Sequence, residues 1–236
     1  MKILFKKEMC NEWKKYWEER TRKNKDWYGK EEKNADEIIK ELDISKKDIV
    51  LDIGCANGSH LSDIYKKTRA KCYGIDISEI AINLNRNKKI RLSVADMRKL
   101  PFENNFFTKI FSLGTIEHVP ETEQVFREIN RVLKKQGKLF ITVPNKISFF
   151  HFTKRIKMLL GIWDLGYEKS FTKKEIIHLL EKTGFKLEKF WITKHQKVSN
   201  IFNLIDNLLN KIDNKKFGFF IFFIAKKIKD IKNVKE

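Results

Sequence analysis

The chain has 236 residues and a formal net charge of +19, from 50 basic and 31 acidic side chains. A chain of this length buries a sizeable core, and its longest apolar stretch, residues 217–225, falls far short of the roughly 20 residues that cross a bilayer, which argues against an integral membrane protein. The N-terminal residues contain no apolar run of secretory-signal length, and Cys10, Cys55 and Cys72 lack metal-ligand spacing. These features predict a soluble, cytoplasmic protein with free thiols.

The excess of positive charge suggests nucleic acid binding as one interpretation, because neutralisation of phosphates dominates such binding. Only nine of the 50 basic residues are arginine, the residue better suited to bidentate contacts with phosphates and bases. Lysines spread over solvated surfaces explain the charge as well. We therefore do not expect a nucleic acid partner, although RNA remains an alternative.

The N-terminal segment is polar and rich in lysine, but it carries aromatic residues at helical spacing. Trp13, Tyr16 and Trp17 lie at i, i+3 and i+4, on one face of a helix, and a second helical segment covers residues 34–42. We predict that residues 1–45 form a helical cap. Its aromatic face either folds over the ligand site as a flap or packs as an ordinary helix against the remainder.

Residues 46–236 form the main predicted domain, in which strands and helices alternate. Strands are predicted over residues 48–54, 71–76, 90–96, 106–114 and 138–144, the last introduced by Gly137. Helices are predicted over residues 60–67, 78–86 and 120–135, the second with Ser78 as its N-cap. Strands joined by helical crossovers imply right-handed connections and a parallel sheet with helices on both faces.

The C-terminal part adds one more helix and two more strands. Thr172 and Glu175 have the spacing of a capping box that begins a helix, and Thr183-Gly184 ends it. Strands are predicted at residues 185–193 and 217–227, a pair that can close the sheet with an antiparallel edge. The predicted fold class is α/β: a doubly wound, Rossmann-like sheet of seven strands, mostly parallel, with an antiparallel last strand.

Two predicted insertions, at about residues 146–170 and 198–216, are longer than plain turns. The first interleaves aromatic and aliphatic residues with Lys154, Arg155 and Lys157. It is either a lid over the substrate cleft or an amphipathic segment on an anionic membrane surface, and these interpretations are compatible. The second insertion has apolar residues at helical spacing and could join the same surface.

The stretch VLDIGCANGSHL, residues 50–61, places a glycine-containing loop after the first predicted strand, where open parallel sheets bind ligands. It matches neither the G-x-G-x-x-G fingerprint of dinucleotide sites nor the phosphate loop G-x-x-x-x-G-K-[ST]. Asp52, Asp76 and Asp96 instead end three successive strands. Because ionised carboxylates only accept hydrogen bonds, three of them suit a ligand rich in donors rather than phosphates.

Five segments occur in order: DIGCANG (52–58), YGIDIS (73–78), ADMRKLPF (95–102), LGTIEHV (113–119) and VLKKQGKLFITVPN (132–145). Together they resemble the class I S-adenosylmethionine-dependent methyltransferases. The chain is most similar to the branch that contains the ubiquinone and menaquinone biosynthetic methyltransferases. The resemblance covers about residues 48–189, and it implies S-adenosylmethionine as the cofactor and a reaction of the EC 2.1.1 type.

The resemblance assigns Asp52, Gly54, Ala56 and Gly58 to a loop near the methionine portion of the cofactor. The family loop prefers glycine where this chain has Ala56. Alanine is small enough for close approach but restricts the backbone, so we expect a negative φ at this position.

The next two strand ends would contact the rest of the nucleoside. By resemblance, Asp76 holds the ribose hydroxyls, with Ile77 beside it. Asp96 and Met97 would flank the adenine, the carboxylate accepting from the exocyclic amine and the methionine packing on the base.

The segment after the fourth strand would carry the chemistry. By resemblance, Leu113 and Gly114 lie near the transferable methyl group. Some quinone-precursor O-methyltransferases bind a divalent metal through Glu-x-x-Glu-His, but Gly114 replaces the first glutamate, so we predict no metal. His118, with Glu117 beside it, is the candidate general base, because histidine titrates near neutrality. Alternatively, His118 only caps or orients the turn before Pro120.

We therefore predict an enzyme that transfers a methyl group by direct displacement to a small-molecule or lipid-linked acceptor, most readily at a hydroxyl oxygen. Its partners would include the substrate and, through the insertions, the surface of an anionic membrane. The alternatives are an RNA methyltransferase and a catalytically silent, methyltransferase-like binding subunit. We expect His178 to be structural or exposed.

Overall fold

The computed structural model describes residues 14–16, 18, 19, 21, 22, 34–162, 167–193, 200–212 and 216–231. Within the N-terminal cap, the described residues between 14 and 22 are helical, and Tyr16 is partly buried. Trp13 and Trp17 lie outside the described residues, and so does the prediction of an aromatic flap.

Seven strands form one sheet. They are β1 (Ile49–Ile53), β2 (Lys71–Asp76), β3 (Arg91–Val94), β4 (Phe107–Leu113), β5 (Leu133–Pro144), β6 (Phe185–Thr193) and β7 (Phe220–Lys227). The helices are α1 (Asn34–Leu42), α2 (Ser59–Thr68), α3 (Glu79–Asn83), α4 (Thr122–Val132), α5 (Phe149–Leu159), α6 (Lys173–Lys182) and α7 (Asn200–Ile212). A short 3₁₀ turn, Ile116–His118, follows β4.

The strand order is β3-β2-β1-β4-β5-β7-β6. Neighbouring strands from β3 to β5 pair in parallel, whereas β7 pairs antiparallel with both β5 and β6. The predicted fold class is confirmed, including the antiparallel last strand. The chain moves from β1 outward to β3 and then returns to β4 on the other side of β1. The crevice at the carboxyl ends of β1 and β4 is therefore the topological switch point, where ligands bind in such sheets.

Side chains of β1 point alternately to the two faces of the sheet, and each face carries one layer of the core. Leu51 and Ile53 are buried in the layer that α4 and α6 cover. Val50, just before Leu51, is buried in the opposite layer with α1 and α2. Helices cover both faces as predicted, and the buried residues of α1 pack directly on the sheet.

Several elements differ from their predicted bounds, among them β5 and α3. β5 begins at Leu133 rather than after Gly137, because Leu133 already pairs with Phe107 before the register shifts at Lys109. α3 has Ser78 as its N-cap, as predicted, but ends at Asn83, since the Asn85 side chain forms a turn by accepting the N–H of Asn87.

The two insertions each form a helix, and a buried carboxylate links them. Asp206 of α7 is 5% exposed, and its Oδ1 accepts the N–H of Phe149, the first residue of α5, at 3.0 Å. An acidic group from α7 therefore caps the N-terminus of α5. No helix among the described residues is both long enough and apolar enough to span a membrane.

Candidate active site

In the loop after β1, every second residue from Gly54 to Gly58 has a left-handed backbone conformation. φ is 82° at Gly54, 49° at Ala56 and 75° at Gly58. The expectation of a negative φ at Ala56 is therefore wrong. The alanine takes a left-handed conformation that favours glycine, and its N–H donates to Asp76 Oδ2 at 2.9 Å. This charge-assisted hydrogen bond offsets the strain of the left-handed backbone.

Gly54 and Gly58 are both required, because φ is positive at each position and because a side chain there would overlap neighbouring residues. A Cβ at Gly54 would overlap the side chain of Thr115, which follows β4. A Cβ at Gly58 would lie 2.8 Å from a methyl of Leu92 on β3. The loop is therefore in close contact with Leu92 of β3 and with Thr115 after β4, which lie on opposite sides of β1 in the strand order.

Replacing Ala56 with glycine should raise the free energy of unfolding by up to about 1 kcal/mol. Glycine removes the left-handed strain, and the greater entropy of the unfolded chain cancels part of that gain. Urea denaturation measures the change. As a control, Ala81→Gly in helix α3 should lower stability by about 1 kcal/mol or more. Equal losses in both variants would contradict the strain at Ala56.

Asp52 and Asp76 place two buried carboxyl groups at the ends of neighbouring strands. Asp52 is 3% exposed, and burial together with the charge of Asp76 raises its pKa well above the usual value. Burial also raises the pKa of Asp76, although backbone N–H groups of Ser78, Ala56 and Ile77 lower it in part. A cationic or hydrogen-bond-donating ligand would stabilise both carboxylates in the ionised form.

Asp96 follows β3, and its carboxylate is already engaged. Arg98 Nη2 donates to Asp96 Oδ2 at 2.6 Å, and the Arg98 backbone N–H donates to Oδ1 at 2.8 Å. Burial alone would raise the pKa of Asp96, but the hydrogen bonds and charge of Arg98 bring it below the usual value. Met97 is partly buried against the core. A base amine would therefore share the Asp96 carboxylate with Arg98.

The turn after β4 carries Glu117 and His118. Gly114 has a φ of 63°, and its N–H donates to Thr142 Oγ1 of β5 at 2.9 Å. A Cβ at Gly114 would be 3.6 Å from Glu117 Oε1. Leu113, the last residue of β4, is partly buried beside this turn.

Glu117 is the acidic residue of this turn, and its pKa is strongly shifted. It is 2% exposed, and burial raises its pKa to about 8. Within the described part of the chain, its Oε2 has no hydrogen-bond partner. At neutral pH the side chain is therefore mostly a neutral acid that can donate a proton or a hydrogen bond.

His118 is partly buried, and burial lowers its pKa. The carboxylate of Glu168 and the backbone carbonyls of Tyr167 and Gly114 counteract that shift. Its Nδ1 lies 3.3 Å from the carbonyl oxygen of Tyr167. Because a carbonyl oxygen only accepts hydrogen bonds, this contact places a proton on Nδ1.

A polar cluster behind this turn was missed by sequence reasoning. Lys154 of α5 is 1% exposed, and its Nζ donates to Glu168 Oε1 at 2.6 Å and Ser170 Oγ at 3.1 Å. His151 Nδ1 lies 3.9 Å from the same Glu168 oxygen. The N–H of Lys169 donates to the carbonyl of Glu117 at 3.0 Å. The segment 167–170 thus ties α5 to the turn of Glu117 and His118.

The structure therefore brings the candidate residues of β1, β2 and β4 into mutual contact. Asp96 lies next to them, because the N–H of the preceding Ala95 donates to the Asp76 carbonyl at 3.0 Å. Of the other histidines, His178 is exposed on α6, as predicted, and His195 lies outside the described residues. Among the described residues, no group of three or more His, Cys, Asp or Glu side chains could hold a metal ion. Cys55 and Cys72 are buried free thiols.

Comparison with known proteins finds similarity to methyltransferases. Residues 51–141 match the family model described as a methyltransferase domain. The chain is 29% identical to methyltransferase GfsG of Streptomyces halstedii over 47% of this chain and 42% of that protein. It is also 29% identical to the uncharacterized protein MJ1252 of Methanocaldococcus jannaschii, over 87% of this chain and 91% of that one. Other relatives are named as phosphoethanolamine and sterol methyltransferases.

Solved structures share the fold. Phosphoethanolamine N-methyltransferase 2 of Haemonchus contortus, in complex with S-adenosyl-L-methionine, superposes with a TM-score of 0.63 at 19% identity. The match covers 83% of this chain and 52% of that chain. The chain thus spans about half or less of the named methyltransferases but nearly all of MJ1252.

Proposed function

We propose that the chain is a class I S-adenosylmethionine-dependent methyltransferase, a proposal that its similarity to methyltransferases supports. The methyl group would go to a hydroxyl oxygen of a small-molecule or lipid-linked acceptor. The observation that carries this proposal is the contact between the glycine-containing loop after β1 and the Asp76 carboxylate, through the N–H of Ala56. This contact joins the ends of β1 and β2 beside the topological switch point.

The residues present fit the cofactor. Gly54 and Gly58 adopt the left-handed backbone that gives the loop its tight turns at the end of β1. The Asp76 carboxylate accepts the backbone N–H groups of Ala56 and Ser78, and its remaining acceptor capacity would serve the ribose hydroxyls. Asp52 would meet the amino group of the methionine portion, whose positive charge compensates the buried carboxylates. Asp96 and Met97 would flank the adenine.

When bound, S-adenosylmethionine supplies an electrophilic methyl group on a sulfonium sulfur. The protein must then align the acceptor oxygen with that methyl and exclude water. In our proposal, His118 Nε2 accepts the hydroxyl proton while Nδ1–H remains on the carbonyl of Tyr167. Glu117, as a neutral acid, donates a hydrogen bond from its buried carboxyl and helps to orient the acceptor or the methionine portion. Leu113 and Gly114 would border the transferred methyl.

Asp76→Ala should weaken binding of S-adenosylmethionine by roughly 10- to 150-fold. Loss of hydrogen bonds to a charged acceptor costs about 1.5 to 3 kcal/mol. Isothermal titration calorimetry measures the affinity, and thermal unfolding without ligand reports damage to the loop. The matched control is Asp36→Ala, which removes a surface carboxylate paired with Lys67. Unchanged affinity in the Asp76 variant would remove the ribose role.

The proposed reaction is tested by incubating the protein with S-adenosylmethionine labelled on the methyl group and with fractionated lipid, RNA and small-molecule extracts. Label in a lipid or small-molecule fraction is the expected result. Label only in RNA would replace the proposed acceptor with a nucleic acid. Cofactor binding without transfer to any fraction would favour the silent binding subunit.

A further inference from the structure

The outer surfaces of α5 and α7 concentrate exposed apolar side chains. Leu159 is 86% exposed, Leu160 67%, Leu204 57% and Leu208 52%. We define the α5–α7 face as the exposed residues Phe152, Ile156, Leu159, Leu160, Leu204 and Leu208. Within each helix these residues recur at helical spacing, so each helix presents an apolar stripe to solvent. Exposed stripes of this kind mark a docking site for a membrane or a protein.

The exposure does not come from loosely packed helices. Asp206 of α7 binds the N-terminus of α5, and Lys154 on the inner side of α5 is paired with Glu168. The ring of Phe150 packs on that of Phe219, with 4.9 Å between centroids. Both helices are therefore fixed by their inner sides, and the stripes are presented to solvent by the fold.

The charges around the face identify its partner. Arg155, Lys157 and Lys211 are exposed on the two helices. Asp206 is the one acidic residue within α5 and α7, and it is buried. On the described residues of these two helices, apolar side chains are interspersed with cations and no acidic side chain is exposed. This pattern matches the interface of an anionic bilayer, where each basic residue near the surface adds to binding.

The face lies across α5 from the candidate active site. The inner side of α5 reaches Glu168 through Lys154, and the neighbouring Tyr167 carbonyl contacts His118. A surface docked on the outer side of α5 would therefore be separated from the turn of Glu117 and His118 by one helix and the segment 167–170.

We infer that the α5–α7 face rests on the surface of an anionic phospholipid membrane, from which a lipid or lipid-linked acceptor enters the site. The choice of acceptor rests on the proposed function, whereas the docking itself does not depend on it. The net charge of +19 favours the same surface over a neutral one.

Co-sedimentation with vesicles tests the inference. The full chain should sediment with vesicles of phosphatidylcholine and phosphatidylglycerol, more than with phosphatidylcholine alone, and added salt should weaken the binding. The double variant Leu159→Ser/Leu160→Ser should partition at least about tenfold less, because two side chains no longer insert into the interface. The matched control is Ile228→Ser, which changes an exposed apolar side chain, 43% exposed, after β7.

Several results would overturn the inference. These are no sedimentation of the wild type, equal binding of the double variant, or equal binding to neutral and anionic vesicles. A wild-type dimer that the double variant turns into a monomer, without vesicle binding, would assign the face to a second copy. The double variant should keep the wild-type affinity for S-adenosylmethionine, which separates loss of docking from failure of the proposed function.

Discussion

His118→Ala should lower kcat by roughly 10²- to 10⁴-fold at saturating acceptor and cofactor, the usual contribution of a positioned general base. The substitution removes the imidazole beside the proposed methyl position and leaves the cofactor loop intact. KM for S-adenosylmethionine should change little. His178→Ala, an exposed histidine of α6, is the matched control and should keep wild-type turnover.

The pH dependence separates a base from a structural cap. Burial lowers the pKa of His118, so the ring is neutral and able to accept a proton at neutral pH. The rate of the wild type should fall on acidification, at a pH below the usual range of histidine. The residual activity of the variant should lack that step, and added imidazole should restore part of the rate. An unchanged kcat across neutral pH would reduce His118 to a residue that orients the turn.

Glu117→Gln should remove a pH-dependent loss of about 3 to 5 kcal/mol in the free energy of unfolding. The wild type suffers this loss as the pH rises, because burial raises the pKa of Glu117 to about 8 from an ordinary value of 4.5. The folded state binds this proton more tightly than the unfolded chain does. The stabilisation by Glu117 is therefore fully present below about pH 4.5, and it is lost as the pH rises through about 8. Glutamine has the same shape and no such loss.

Chemical denaturation at pH 5 and pH 8 measures the effect. The free energies of unfolding of wild type and variant should be similar at pH 5, and the variant should be the more stable at pH 8. Glu103→Gln, in an exposed loop, is the control and should follow the wild type at both pH values. Parallel curves for wild type and Glu117→Gln would show that the carboxyl is not held in its neutral form.

The core of the site could be predicted because it depends on local sequence. Asp52 and Asp76 end buried strands, and the parallel order of those strands brings their carboxyl ends together. The conformation of Ala56 could not be predicted, because it depends on a hydrogen bond to a residue 20 positions away. From sequence, an alanine between two glycines indicated only a restricted backbone.

The polar cluster of Lys154 and Glu168 behind the site could not be predicted from the sequence. Lys154 belongs to a basic stretch that is typical of a solvated face, and its partner Glu168 is separated from it by 14 residues. Asp206 similarly reads as the polar side of an amphipathic helix, although it caps α5. Their burial comes from tertiary packing of the insertions, which periodicity alone does not specify.

Titration calorimetry of the wild-type protein with S-adenosylmethionine is the most direct measurement of the central claim, that the loop after β1 and the strand-end carboxylates form a cofactor site. We predict saturable binding at one site per chain, weakened in Asp76→Ala and unchanged in Asp36→Ala. Absence of binding by a folded wild-type protein would contradict the account.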